Sequence, residues 1–148
     1  MNEYMKVAFG EAVLAKENGE VPVGAAIFKD GKLVASAHNL CETLQDPSAH
    51  AEMLAMKKAL KALGTKNLLG CDLYVTLEPC AMCTGAAHLN KVKRIYFGAY
   101  DAKSGVCGGN TDLPRTGCFD YKTEIFGGIA EPECENLLKD FFKSIRKE

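Results

Sequence analysis

Helical and strand patterns alternate along this chain, and that alternation leaves few architectures open. Apolar Tyr4, Val7, Ala8, Val13 and Leu14 recur at helical spacing, and Asn18-Gly19 ends the run. Val23 to Phe28 and Leu33 to Ala37 are β-rich runs flanking Lys29-Asp30-Gly31-Lys32, whose Asp-Gly pair signals a hairpin. A second helix is expected after Asp46-Pro47, running through Met53, Met56, Leu60 and Leu63 to a stop at Gly64. Leu73 to Leu77 reads as a strand, and Pro79 opens a third helix through Leu89. Val92 to Phe97 is the next strand, followed by an irregular glycine-rich stretch from Ser104 to Gly117. A fifth strand at Glu124 to Ile129 and a closing helix at Glu133 to Arg146 complete the pattern. Such an order predicts an α/β sheet covered by helices on both faces, its first strand pair antiparallel and the later ones parallel. No repeat, linker or composition shift divides the 148 residues, so 1–148 reads as a single domain.

Bulk properties exclude several classes. A hydrophobic content of 47% rules out a disordered chain, and 18 basic against 19 acidic residues argues against a wholly cationic nucleic-acid sleeve. The N-terminus lacks the basic-then-apolar layout of a signal peptide, and no apolar run approaches the roughly 18 residues of a membrane span. Seven cysteines, an odd number in a chain of this length, fit reduced thiols in a cytoplasm better than a secreted disulfide scaffold.

The informative constellation is His50-Ala51-Glu52 followed by Pro79-Cys80-Ala81-Met82-Cys83. Three positions apart, Cys80 and Cys83 share one face of a helix, in the first turn where the dipole favours thiolate. Zinc takes thiolate sulfur and imidazole nitrogen, and His50 is the natural third ligand. Glu52 would then be a carboxylate beside the metal without ligating it, the group that moves a proton in zinc-water chemistry. Two other readings compete. A closed four-ligand site needs a further donor; Cys41, Cys71, Cys107, Cys118 and Cys134 form no second close pair, although Cys107 or Cys118 could reach in. A redox dithiol leaves His50-Ala51-Glu52 unexplained. His88, eight positions beyond Cys80, reads as a packing or surface residue, and Lys57, Lys58 and Lys61 as a solvated helix face. His38 ends the second strand, and its neighbour Asn39 stands where open α/β sheets feed their ligand crevice; Asn39 also suits a turn that satisfies its own backbone.

With these residues in place, the sequence resembles the cytidine and adenosine deaminase superfamily, whose signature is His-x-Glu with Pro-Cys-x-x-Cys. Its flanking segments are similar to the bacterial branch acting on tRNA adenosine. They include Glu20-Val21-Pro22-Val23-Gly24-Ala25, Leu73 to Cys80, Phe97 to Gly105 and Leu137 to Phe142. The resemblance implies a three-layer α/β/α cytidine deaminase-like fold with a five-stranded mixed sheet. It implies one zinc ion per subunit held by His50, Cys80 and Cys83, with Glu52 as the proton shuttle and Asn39 touching the substrate. It also implies a cytoplasmic homodimer that makes inosine at the wobble position of a tRNA anticodon loop. Asp120-Tyr121 stands where that branch usually has Asn-His, and Leu40 where it often has Arg. A free nucleobase or nucleoside, guanine or cytosine, is therefore the alternative substrate, and a non-catalytic zinc module the alternative of another class. Lys91, Lys93 and Arg94, with Lys139, Lys143, Arg146 and Lys147, would be a phosphate-binding edge or a solvated face.

Overall fold

The computed structural model describes residues 1–146. Helix α1 spans Glu3–Glu17, capped by the Asn2 side chain, which accepts the Met5 amide at 2.7 Å. Strands β1 (Gly24–Lys29) and β2 (Lys32–His38) form an antiparallel hairpin. Asp30 (φ 52°) and Gly31 (φ 77°) both have positive φ, as a two-residue primed turn demands. Helix α2 (Ala51–Leu63) ends on left-handed Gly64 and is followed by β3 (Cys71–Leu77). Helix α3 (Ala81–Leu89), β4 (Arg94–Ala99), a one-turn 3-10 helix (Pro114–Thr116), β5 (Glu124–Phe126) and α4 (Glu131–Arg146) complete the chain.

The five strands lie in the order β2-β1-β3-β4-β5, with β1 antiparallel to both neighbours and β3, β4 and β5 parallel. Residues alternate across the sheet, so two apolar faces arise from the same strands. Ile27, Leu73, Val75, Ile95 and Phe97 pack in one core with Ala51, Ala55, Met56 and Ala59 of α2 and Ala87 of α3. Ala26, Phe28 and Tyr74 pack in a second with Met5 and Ala8 of α1. Full burial of an Ile or Leu contributes roughly 1.5–3 kcal/mol, which makes the seam under α2 the principal stabiliser. Two glycines admit the helices of the second layer. A Cβ on Gly24 would collide with the Ala8 carbonyl of α1, and one on Gly98 with the Cys134 side chain of α4. The result is the three-layer architecture expected, a mixed five-stranded sheet with helices on both faces.

Several boundaries differ from the expectation. Helix α2 begins at Ala51 rather than just after Pro47. Asp46 spends its carboxylate on a turn of its own, accepting from the Ser48 amide (2.9 Å) and hydroxyl (2.7 Å). Helix α3 likewise starts at Ala81, and Pro79 stands outside it. β5 stops at Phe126 because Gly127-Gly128, with Gly128 at φ 80°, turns the chain away. No helix among the described residues is long and apolar enough to cross a membrane.

Candidate metal centre

Helices α2 and α3 begin side by side, and the residues at their beginnings converge. His50 is the N-cap of α2 and Cys80 the N-cap of α3, yet neither side chain caps its own helix. Both are free to turn outward, and Cys83 joins them from the first turn of α3. The His50 Nδ1 lies 3.6 Å from Cys80 Sγ and 3.4 Å from Cys83 Sγ. All three donor atoms fall within 4.8 Å of one another. Zinc bonds sulfur at about 2.3 Å and imidazole nitrogen at about 2.0–2.1 Å, so tetrahedral angles separate the two donors by about 3.5 Å. The donor set and its spacing therefore fit zinc. No fourth His, Cys, Asp or Glu joins the cluster among the described residues. Cys107 instead packs its sulfur 3.5 Å from the Thr84 hydroxyl, and Cys118 is exposed with its thiol toward the Leu113 carbonyl.

The thiols titrate as a unit. Cys80, which accepts the Cys83 thiol proton and lies against His50, is held down to about 4, whereas that same contact pushes Cys83 up. The Cys80 sulfur in turn raises His50. Glu52, 4% exposed, is pushed up to about 7 by burial.

A cavity of about 280 Å³ opens onto these residues. Val21, Val23 and Leu77 form apolar walls, and Asn39, His50, Glu52 and Cys80 supply polar groups. Asn39 does both things considered for it: it lines this cavity, and its Oδ1 accepts the Cys41 amide at 3.1 Å. Cys41 stands on the same wall, unsignalled by any motif, and burial raises its thiol. Of the five cysteines outside the cluster, Cys71 and Cys134 are buried, Cys41 and Cys107 half-buried and Cys118 exposed.

Other singled-out residues lie elsewhere. His88 is buried, donates to the Thr84 carbonyl at 2.8 Å and stacks on Phe119 with centroids 4.1 Å apart. Asp120 and Tyr121 share a separate cleft with His88 and Phe119. Leu40 is tied back to Ala49, its amide donating to that carbonyl at 3.0 Å. Lys57, Lys58 and Lys61 are exposed on α2. In the basic edge, Arg94 is held by Asp72 and Glu124, and Lys139 pairs with Glu135 at 2.7 Å. Lys147 lies outside the described residues.

Two buried carboxylates escaped the sequence reading. Glu20 accepts the Glu42 amide (3.0 Å) and the Thr43 amide and hydroxyl (both 2.7 Å), fixing the loop after Asn39. Glu78 accepts the amides of Asp101, Cys107 and Gly109. Their partners stand 22 to 31 residues away in sequence, so no local signal marked them.

Comparison with known proteins agrees with this geometry. A family model described as the cytidine and deoxycytidylate deaminase zinc-binding region matches residues 1–99. The chain is 49% identical over 144 residues to a tRNA-specific adenosine deaminase of Bacillus subtilis (strain 168), covering 97% of this chain and 89% of that protein. It is 45% identical over 143 residues to a tRNA-specific adenosine deaminase of Aquifex aeolicus (strain VF5), covering 97% and 94%. A solved structure of a tRNA:A34 deaminase, studied for A-to-I editing at the wobble position, superposes with a TM-score of 0.85. It is 37% identical, over 90% of this chain and 97% of that one. A cytidine deaminase-like fold, a three-donor cluster that fits zinc and these relatives agree: the chain belongs to the cytidine and deoxycytidylate deaminase zinc-binding family.

Proposed function

We propose that this chain is a zinc-dependent hydrolase that deaminates adenosine to inosine at the wobble position of a tRNA anticodon loop. The observation that carries the chemistry is Glu52, a buried carboxylate two residues beyond the imidazole donor that faces the same cavity as His50 and Cys80. His50, Cys80 and Cys83 hold the metal. Bound there, zinc supplies the Lewis acidity that activates water for attack on the amino-bearing carbon. Glu52 takes one proton of the attacking water on its carboxylate and passes it to the ring nitrogen; it then takes the proton of the newly added hydroxyl and hands it to the amine, which leaves as ammonia while the carbonyl forms. Asn39 has amide hydrogen-bonding capacity beyond its turn and orients the base. Val21, Val23 and Leu77 exclude bulk water along the walls. A base reaches such a cavity only when unstacked, which favours an anticodon loop over a duplex. The 49% identity to a relative named for tRNA adenosine supports this substrate over a free base.

The functional unit is a cytoplasmic homodimer. In support, Met82 and Leu89, seven positions apart on α3, expose apolar surface on one helix face, Met82 next to Cys83 and Leu89, 85% exposed, at the far end of the helix. Light scattering after size exclusion tests this, and a monomer at micromolar concentration refutes it.

The function is tested by incubating the zinc-loaded protein with a synthetic anticodon stem-loop carrying adenine at the wobble position. Inosine is the expected product. Ammonia from free guanine, cytosine or cytidine with the stem-loop untouched would keep the chemistry and replace the substrate.

A further inference from the structure

Glu78 sits at the junction between β3 and the turn that carries Cys80, and its surroundings are built around it. It is 3% exposed. Its Oε1 accepts the Asp101 amide at 2.8 Å, and its Oε2 accepts the amides of Cys107 (2.8 Å) and Gly109 (2.7 Å). Two glycines make room for it: a Cβ on Gly105 or Gly109 would collide with the Glu78 carboxylate. Backbone links run along the same seam. The Glu78 amide donates to the Ala99 carbonyl at 2.8 Å, and the Val106 amide to the Pro79 carbonyl at 3.2 Å. Cys107, whose amide Glu78 holds, places its sulfur against Thr84 on α3, one residue beyond Cys83. The 101–109 loop thus grips the ligand-bearing turn from both sides, at Pro79 before Cys80 and at Thr84 after Cys83.

We propose that Glu78 is a positioning residue for the metal centre: by gathering three loop amides it clamps the Pro79–Thr84 turn and so fixes where Cys80 and Cys83 present their sulfurs. This rests on the assignment of His50, Cys80 and Cys83 as zinc ligands. Three amide donors on one buried carboxylate allow no neutral substitute, because a glutamine must turn its own N–H groups toward at least one of them. Loss of the clamp acts on the ligands through the backbone, as outer-shell partners of metal ligands do.

The test is the rate at which zinc-loaded, full-length protein surrenders its metal to an excess of a chromogenic chelator. Glu78→Gln is expected to release zinc about 10–100-fold faster than the wild type, the range seen for outer-shell partners. Gly109→Ala, which leaves the carboxylate in place and crowds it, is expected to do the same and serves if Glu78→Gln does not fold. Met5→Ala loosens the core on the opposite sheet face and is expected to release zinc at the wild-type rate. Acceleration equal to that of Met5→Ala would make the effect general loosening and overturn the inference. The wild type supplies an independent arm, since coupling is reciprocal: zinc loading should slow hydrogen exchange at the Cys107 and Gly109 amides, and unchanged exchange would count against the clamp. A wild type that binds no zinc, or a Cys80→Ser variant that keeps it, would sink the ligand assignment and this inference together. Zinc lost in Cys80→Ser but held at the wild-type rate in Glu78→Gln and Gly109→Ala would sink this inference alone.

Discussion

The start of α2 and the end of β3 each bury a glutamate, and the two are treated in opposite ways. Glu78 is surrounded by amide donors from a loop wrapped around it. Glu52 receives no such loop: His50, Cys80 and Cys83 lie beside it, and burial drives its carboxyl up to about 7. A buried carboxylate with its donors supplied is a structural fastener; one starved of donors is a reagent. Glu20, buried beneath the loop after Asn39, repeats the fastener pattern with the Thr43 hydroxyl and two amides. Glu20 and Glu78 thus each tie down a loop, whereas Glu52, the acid proposed to move protons, ties down none.

The contrast is broken most severely at the reactive end. Glu52→Gln should lower the rate of inosine formation by at least about 10²–10⁴-fold, the usual weight of a general acid-base group. Zinc content should stay at one ion per chain and the melting temperature should not fall, because no donor is orphaned; loss of metal would show that Glu52 is a ligand instead. Cys83→Ser removes one corner of the donor triangle, and metal analysis should find zinc and activity lost together. A variant that keeps both excludes Cys83 from the ligand set.

The fasteners are expected to behave differently. Glu20→Gln leaves an amide or hydroxyl of the 42–43 loop without its acceptor and should cost about 1–3 kcal/mol in urea denaturation, with zinc bound or absent. The loss should also depend on pH. Burial works to raise the Glu20 carboxyl, and the Thr43 hydroxyl with the Thr43 and Glu42 amides more than offsets it, so the group titrates below its ordinary value. The unfolded chain then binds more protons in that window, and stability falls as pH drops from about 4.3 through the folded-state value. Wild type and Glu20→Gln should therefore converge on acidification; a gap that stays constant to pH 3 would deny Glu20 this role.

Glu11 marks the weak end of the series. It accepts from the Ser36 hydroxyl and pairs with His38, each at 2.7 Å, but its side chain keeps 18% exposure. With water able to replace the lost partner, Glu11→Gln should cost below about 1 kcal/mol by the same denaturation measurement. A cost equal to that of Glu20→Gln would show that burial is not what separates the two.

The parts of this arrangement visible in sequence are those whose partners are adjacent or governed by residue type. Cys80, Cys83 and His50 carry soft donors, and the three-residue spacing of the thiols at a helix start has few other uses. The layers follow from the alternation of helical and strand patterns along the chain. Asp46 was misplaced because a carboxylate before a proline caps a helix or a turn equally well, and only the Ser48 hydroxyl decides between them. Glu20 and Glu78 read as ordinary charged residues, since what satisfies them is backbone from loops folded over them. The clue available was indirect: Gly105 and Gly109, four apart in an irregular stretch, mark where a backbone must pass close to something.

His50 and Cys80 each stand at the first boundary of a rigid helix, where a residue cannot slide along its own axis. The three donor atoms therefore act as a gauge of how two rods are set relative to one another. A shift of α3 by about an ångström would carry the 3.6 and 3.4 Å nitrogen–sulfur spacings outside the tolerance of about 0.2 Å that metal bonds allow. Metal retention thereby becomes a mechanical readout of how α2 and α3 are set against one another.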